Sequence, residues 1–353
     1  MLVFLRKDLI LILSIVALFL SVSYAIGYIS KNNSSTAEVQ TNFLGGESAL
    51  ATQKAAGRVW QEPAFERLLT LNPTALTKPT LMRGDDAGNI YILDWADFRI
   101  KMFSPDGNLL KVFGEGKGEG ASAFANPTGF SVSDEGDVWV CDPPQRKITR
   151  FRSGERAQTI EPQREAWRVA TVGDALITMA VPERNALFEI YNLSGNYSKS
   201  FGELIENQPE AGIVLDGNII GDADTQGFIY GGRHLGVLAG YSVGGERRFM
   251  VHTIDSLPPP KILNIGVSQK VKPNSPRAVL SMNILGNELY VLSGVRDEQA
   301  KSAGGRVVDV YDKRNGQYMF SFKLPVACQE VVVQEERIYM LGGEGVTVWR
   351  FKH

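Results

Sequence analysis

Cysteine and histidine are nearly missing from these 353 residues, with two of the first and three of the second. Cys141 and Cys328 stand far apart in the chain, so no disulfide framework and no cysteine-rich zinc site is indicated. Each reads as a small buried hydrophobe in a strand. His234, His252 and His353 are too scattered to suggest a histidine zinc cluster. An excess of one charge is missing too: 37 Lys and Arg against 39 Asp and Glu leave a net charge of −2. That balance gives no global reason to expect nucleic acid or an anionic membrane surface as partner. No Gly-x-Ser-x-Gly nucleophile elbow of the hydrolase kind is read, and no Gly-Lys-Ser/Thr phosphate loop. The glycine-rich GEGKGEG, Gly114 to Gly120, has no following helix pattern, and its Glu115 and Glu119 would repel a phosphate.

Long apolar runs are also scarce, apart from one at the start. Arg6 and Lys7 precede an uncharged run from Leu9 to Ile29, long enough as a helix to cross a hydrocarbon core of about 30 Å. A retained anchor fits the length; a cleaved signal peptide would use a small-residue site such as Ser23-Tyr24-Ala25. Both readings keep Arg6 and Lys7 cytoplasmic and export the rest, to the periplasmic side if the source is bacterial. The polar stretch 31–56 reads as a flexible tether.

What the chain has in quantity is glycine, 36 residues, and a repeat. GNIYILDWADFRIKMF, starting at Gly88, returns 48 residues later as GDVWVCDPPQRKITRF, starting at Gly136. Gly88 matches Gly136, Tyr91 Trp139, Asp94 Asp142, Arg99 Lys147 and Phe103 Phe151. Weaker copies begin near Asp174, Gly227, Asn287 and Glu336. A fixed period of this size signals an array of supersecondary units, and short β-rich runs between Gly, Pro, Asp and Asn turn signals make each unit a four-stranded meander. Six such units predict an all-β, six-bladed β-propeller over 57–353. The last unit ends too early for its outermost strand. A segment near 65–71 is the expected replacement, joining both ends of the domain in one blade.

FGEGKGEGASAFANPTGFSVSDEGDVWVCD, Phe113 to Asp142, resembles the inter-blade stretch of NHL-repeat propellers: a Phe-Gly ending one blade, a Gly-rich link, a Phe, then Pro and a Gly-containing inner strand. The resemblance covers Asp85 to about Ile160 and departs from the family at Trp95 to Phe98 and at Pro143 to Gln145. It implies a propeller with variable loops on one face. Some similar propellers are zinc lyases, for which this chain lacks the histidines. Propeller lactonases hold a divalent cation in the channel with carboxylates and Asn, where Asn218 and Glu330 are the inner-strand candidates here.

Asp94 with Arg99, and Asp142 with Arg146 and Lys147, read as fasteners of each blade's loop through charge-assisted hydrogen bonds, because they repeat. Trp95 and Phe98 do not repeat and are expected as exposed aromatic anchors. Basic residues recur in the corresponding loops: Arg99, Arg146, Arg184, Arg233 with His234, and Arg296. If those loops share a face, they form a positively biased surface for a carboxylate, a phosphate or an acidic protein patch. The Pro-rich Asp255 to Pro276 and the inserted Val295 to Gly305 are long links; such links often contact partners, but each reads here first as a plain excursion of the chain. The expected function is a membrane-anchored, exported protein-binding or scaffold module without cofactor, metal or catalytic residues, suited to an accessory place in a membrane complex. The alternatives are a channel-site metal-dependent hydrolase and a sensor for a small ligand in the channel.

Overall fold

A computed structural model describes residues 34–38, 42–44, 57–71, 74–183, 186–206, 212–255, 257–265, 268–295 and 305–352. The apolar run from Leu9 to Ile29 lies outside them. Among the described residues no helix is long and apolar enough to cross a membrane.

Contacts divide the chain into two compact units. The larger, Gln40–Pro259 with Pro276–His353, holds six four-stranded antiparallel sheets among its described residues. The first sheet is Pro79–Gly84, Ile90–Asp94, Arg99–Phe103 and Leu109–Phe113, in that order from inner to outer strand. The second is Gly129–Val132, Val138–Asp142, Lys147–Arg152 and Glu155–Ile160. Sheets beginning with Arg168–Val172, Gly217–Asp222 and Val279–Leu285 follow with the same meander order. The sixth is Cys328–Gln334, Arg337–Gly342, Gly345–Lys352 and then Ala64–Thr70, so strands from the two ends of this unit share one sheet.

Local sequence accounts for the strands and turns. The second strands, Ile90–Asp94 and Val138–Asp142, are buried at every residue, as short apolar runs bounded by turn signals require. The outer strand Leu109–Phe113 is mostly exposed. Between inner and second strands the chain reverses on Gly88 and on Gly136, at φ of +83° and +78°, a region that glycine enters without strain. Asp85 secures the first of these turns, its carboxylate accepting from the Asn89 N–H at 2.8 Å and the Tyr91 hydroxyl at 3.0 Å. Ser133 stands at the equivalent place and accepts the Asp137 N–H at 3.2 Å.

The inner strands neighbour one another in a closed cycle. Ser131 Oγ meets Thr171 Oγ1 at 3.0 Å, the Asn218 amide donates to Leu280 O at 2.9 Å, and Val333 N–H donates to Asn283 Oδ1 at 2.9 Å. Gln334 Nε2 donates to Asp85 O at 3.1 Å, carrying the sixth sheet back to the first. Each interface between sheets encloses its own apolar cluster. Tyr91, Phe113, Phe130 and Phe151 pack between the first and second sheets, and Phe188, Phe201, Phe228 and Tyr241 between the third and fourth. Met82, Ile92, Tyr339 and Val348 fill the joint between the sixth and the first. A ring of four-stranded sheets, inner edges facing a shared axis and apolar faces pressed together, is a β-propeller.

The smaller unit, among its described residues, holds Ser34–Glu38 and strands of Pro260–Ser275. In it Ser34–Glu38 pairs antiparallel with Lys261–Ile265, which pairs with Ser268–Val271. Ser34–Glu38 is therefore a strand inside the stretch read from sequence as a tether, and the Pro-rich link carries a hairpin. Two further pieces of the N-terminal half are also ordered: Phe43 is buried and bridges Ile205, and Trp60 bridges Ser321.

Candidate functional site: an apolar cavity with an arginine floor

Asp94 and Arg99 face each other in backbone register, yet their side chains part. The fully buried Asp94 carboxylate accepts the N–H groups of Thr77 and Lys78, each at 2.8 Å, that of Ala96 at 3.2 Å, and the Lys101 ammonium at 2.8 Å. Burial pulls its pKa upward, but Lys101 and the three backbone donors outweigh burial and hold it below the ordinary carboxylate value. Asp142 repeats the clasp on Ala125 N–H (2.7 Å) and Asn126 N–H (3.0 Å). The expected Asp94–Arg99 fastening is thus corrected in its partner. The aspartate ties down the link that leads into its own sheet, and Arg99 donates instead to Glu115 O at 3.1 Å.

The clasped links and the connections between second and third strands meet at one end of the ring. There they surround a cavity of about 550 Å3, formed by the first three sheets and the link that enters the fourth. Trp95 and Trp167, 40% and 38% exposed, stand at its rim, and Leu81, Met179, Ile213 and Leu215 line it. Lys78 Nζ lies 4.1 Å from the centre of the Trp95 ring, and the Trp95 indole N–H donates to Asn126 Oδ1 at 3.4 Å, so the ring is held rather than free to sweep.

Phe98 departs from expectation. It is only 6% exposed, at a φ of +54° that turns the ring into the core between the first two sheets, where it meets Trp95 edge to face at 5.4 Å. Arg146 caps the short turn Pro143–Gln145 and donates to Gln163 O at 3.3 Å. His234 is buried, with Nδ1 3.0 Å from Pro276 O, and burial lowers its pKa despite that contact. Arg233 Nε lies 3.0 Å from Asp216 Oδ2. Arg184 and Arg296 lie outside the described residues. Of the residues singled out from sequence, the cavity brings together Trp95 directly and Arg233 through Asp216; Phe98, Arg99, Arg146 and His234 are engaged elsewhere.

Three residues missed by the sequence reading complete the site: Trp167, Arg168 and Asp216. Their signal was positional. Each stands immediately before or at the start of an inner strand, as Lys78, Pro127 and Thr128 do in the first two repeats, whereas the repeat marks the loops after second strands. Arg168 Nη1 donates to Trp167 O at 2.9 Å and to Thr128 O at 3.3 Å, Nη2 reaches Asp216 Oδ1 at 3.4 Å, and the buried Nε has no acceptor. Burial pulls this guanidinium below its ordinary pKa, and Arg233 and Arg83 add repulsion that Asp216 opposes.

Behind the floor lies Glu330, whose Oε2 is 3.7 Å from Arg83 and has no hydrogen-bond partner. Burial raises its pKa to about 7, against the pull of Arg83, Arg233 and Arg168. Asn218, the other channel candidate, is committed to Leu280 O. Among the described residues no three His, Cys, Asp or Glu side chains converge as a metal site would need. Toward the opposite end of the inner strands a second cavity, about 290 Å3, is polar, with Asp222 and Asp224 each 2.8 Å from Lys313. Both cysteines are buried free thiols.

The spacing Gly-x-Ser-x-Gly does occur once, from Gly240 to Gly244, which corrects the sequence reading. It closes a strand rather than opening a helix. Ser242 ends Val237–Ser242, its Oγ accepts the Glu246 N–H at 3.2 Å, and the chain turns into the strand Arg247–His252. Without the strand-to-helix elbow the serine has no exposed, strained placement.

No family model matches the sequence, and no curated protein matches it. Solved structures similar to it include a member of the DUF4221 family from Bacteroides vulgatus, with a TM-score of 0.55 at 12% identity over 85% of this chain and 99% of that one. A streptogramin B lyase structure matches with a TM-score of 0.49 at 10% identity, over 90% and 98% of the two chains. The β-propeller domain of Cps50 (Swd1) from Myceliophteria thermophila matches with a TM-score of 0.47 at 9% identity, over 81% and 99%. At such identities the likeness is one of fold alone.

Proposed function

We propose that this protein is a membrane-anchored, exported six-bladed propeller with NHL-like blades, and that it works as a protein-binding module at the face carrying Trp95 and Trp167. One observation carries the reading: the apolar cavity of about 550 Å3 with two half-exposed tryptophans at its rim. Large aromatics beside a concave apolar surface are the usual energetic centre of a protein interface, because a partner's side chain buried there loses its water and theirs at once. The rigid clasps of Asp94 and Asp142 support it, since preorganised links lose little entropy on binding.

The apolar run from Leu9 to Ile29 supports an anchor, and an anchored binding module suits an accessory place beside a membrane complex. The hydrolase alternative needs acidic ligands able to hold a cation. Glu330 instead stands among Arg83, Arg168 and Arg233, whose charge repels one. Photo-crosslinking from position 95 in native membranes tests the proposal: capture of one partner protein supports it, and silence at this face contradicts it.

A further inference from the structure

We infer that the cavity between Trp95 and Trp167 binds a small amphipathic carboxylic acid, its apolar body against the cavity wall and its carboxylate on Arg168. The inference rests on reading this cavity as the recognition centre, and it adds the chemistry of an occupant that does not require the protein partner.

Three features point to an acid. The wall is apolar and its volume lies in the range of small-molecule sites, where a few polar groups fix orientation. Positive charge outweighs negative around Arg168: Asp216 is shared between Arg168 at 3.4 Å and Arg233 at 3.0 Å, Arg83 acts on Arg168 as well, and the one other carboxyl group among these arginines, Glu330, is raised by burial to a pKa of about 7. The 3.4 Å contact is at the limit of a hydrogen bond. Finally, Arg168 is anchored through Nη1 to two backbone carbonyls while its buried Nε has no acceptor. A guanidinium offers paired donors matched to one carboxylate, and a buried donor left unmatched costs free energy that a bound carboxylate would recover. A cation would meet like charge and bring donors to donors, and a neutral hydroxyl would offer one uncharged acceptor in place of two charged ones.

The test is calorimetric titration of the purified full chain, in a matched detergent blank, with 4-phenylbutyrate, its alcohol 4-phenylbutan-1-ol and its amine 4-phenylbutylamine. The acid is expected to bind at least tenfold more tightly than the alcohol or the amine. Arg168→Gln should bring the acid to the alcohol's level and leave the alcohol unchanged. Asp216→Asn, which removes the competing carboxylate from a partly exposed position, should tighten the acid about threefold or more, and it decides the matter even if the Arg168 variant fails to fold. Equal binding of acid and alcohol, no binding of the acid, or an acid affinity that ignores both variants overturns the inference. If position 95 still captures a partner protein while the acid does not bind, only this inference falls and the protein-binding reading stands.

Discussion

Asp94 and Asp142 occupy the same place in successive repeats, and each spends its carboxylate on the backbone of the link entering its own sheet. Removing the buried Asp94 carboxylate leaves the Thr77, Lys78 and Ala96 N–H groups without their acceptor and the Lys101 ammonium with Asp97 alone, a loss of about 3 kcal/mol. Asp94→Ala should therefore lower the unfolding free energy in urea by about that amount, and Arg99→Ala by less than about 1 kcal/mol. Equal losses would restore the Asp94–Arg99 pairing that the repeat suggested. The aspartate was legible because it recurs. Its cation was not, since Lys101 has Thr149 at the matching place and reaches Asp94 only diagonally across two strands. Phe98 was misread for a similar reason: the turn residues around it look like an exposed loop, and only the positive φ sends the ring inward.

Glu330 carries a residue-scale pH dependence. Its usual value of 4.5 is raised to about 7 in the fold, mainly by burial. With the folded value raised, the stability linked to this proton is fully present below about 4.5 and is lost as pH rises to about 7. Glu330→Gln cannot ionise. Between pH of about 5 and about 8, its stability relative to wild type should rise by about 2 to 3 kcal/mol, at about 1.4 kcal/mol per unit. A difference independent of pH would show that Glu330 ionises in the fold as it does in water.

At the scale of elements, the period and the turn glycines made the sheets readable. So did the shortage of strands at the C-terminal end. Ala64–Thr70 pairs along Gly345–Lys352 and so supplies the outer strand of the sixth sheet. Removing it bares a strand edge and one face of Phe65's stack on Phe351. A chain starting at residue 57 should melt as the full propeller does, whereas one starting at residue 72 should melt at least about 5 °C lower or associate through the bared edge. Calorimetry and gel filtration would show it, and identical melting of the two truncations would make the strand an ornament. Nothing in the sequence announced that Ser34–Glu38 pairs with Lys261–Ile265. SSTAE has neither apolar alternation nor β-branched density, and its partner lies more than two hundred residues away.

At the scale of the whole molecule, the mouth was the least legible part. Trp95 comes from a loop within the first sheet, and Trp167 and Asp216 come from the links that enter the third and fourth sheets; only the arrangement of the sheets around the axis brings them together. Local pattern reports which residues fold into strands, and says little about which loops then face one another. The reading from composition, that no single charge dominates, holds for the chain and fails around Arg168 in the cavity wall, on which Arg83 and Arg233 act from behind and with which they act on Glu330. That local imbalance, placed under an apolar wall, is what turns a generic propeller face into a selective one.

The central claim is that this face binds a protein partner. It is tested most directly by placing a photo-crosslinking amino acid at position 95 and, separately, at Asn287, whose hairpin lies toward the other end of the inner strands, in the full chain in native membranes. The expected result is one crosslinked protein from position 95, absent from position 287 and lost when Trp167→Ala is added. Capture of that protein from position 287 alone, or capture from position 95 that ignores Trp167→Ala, would contradict the account.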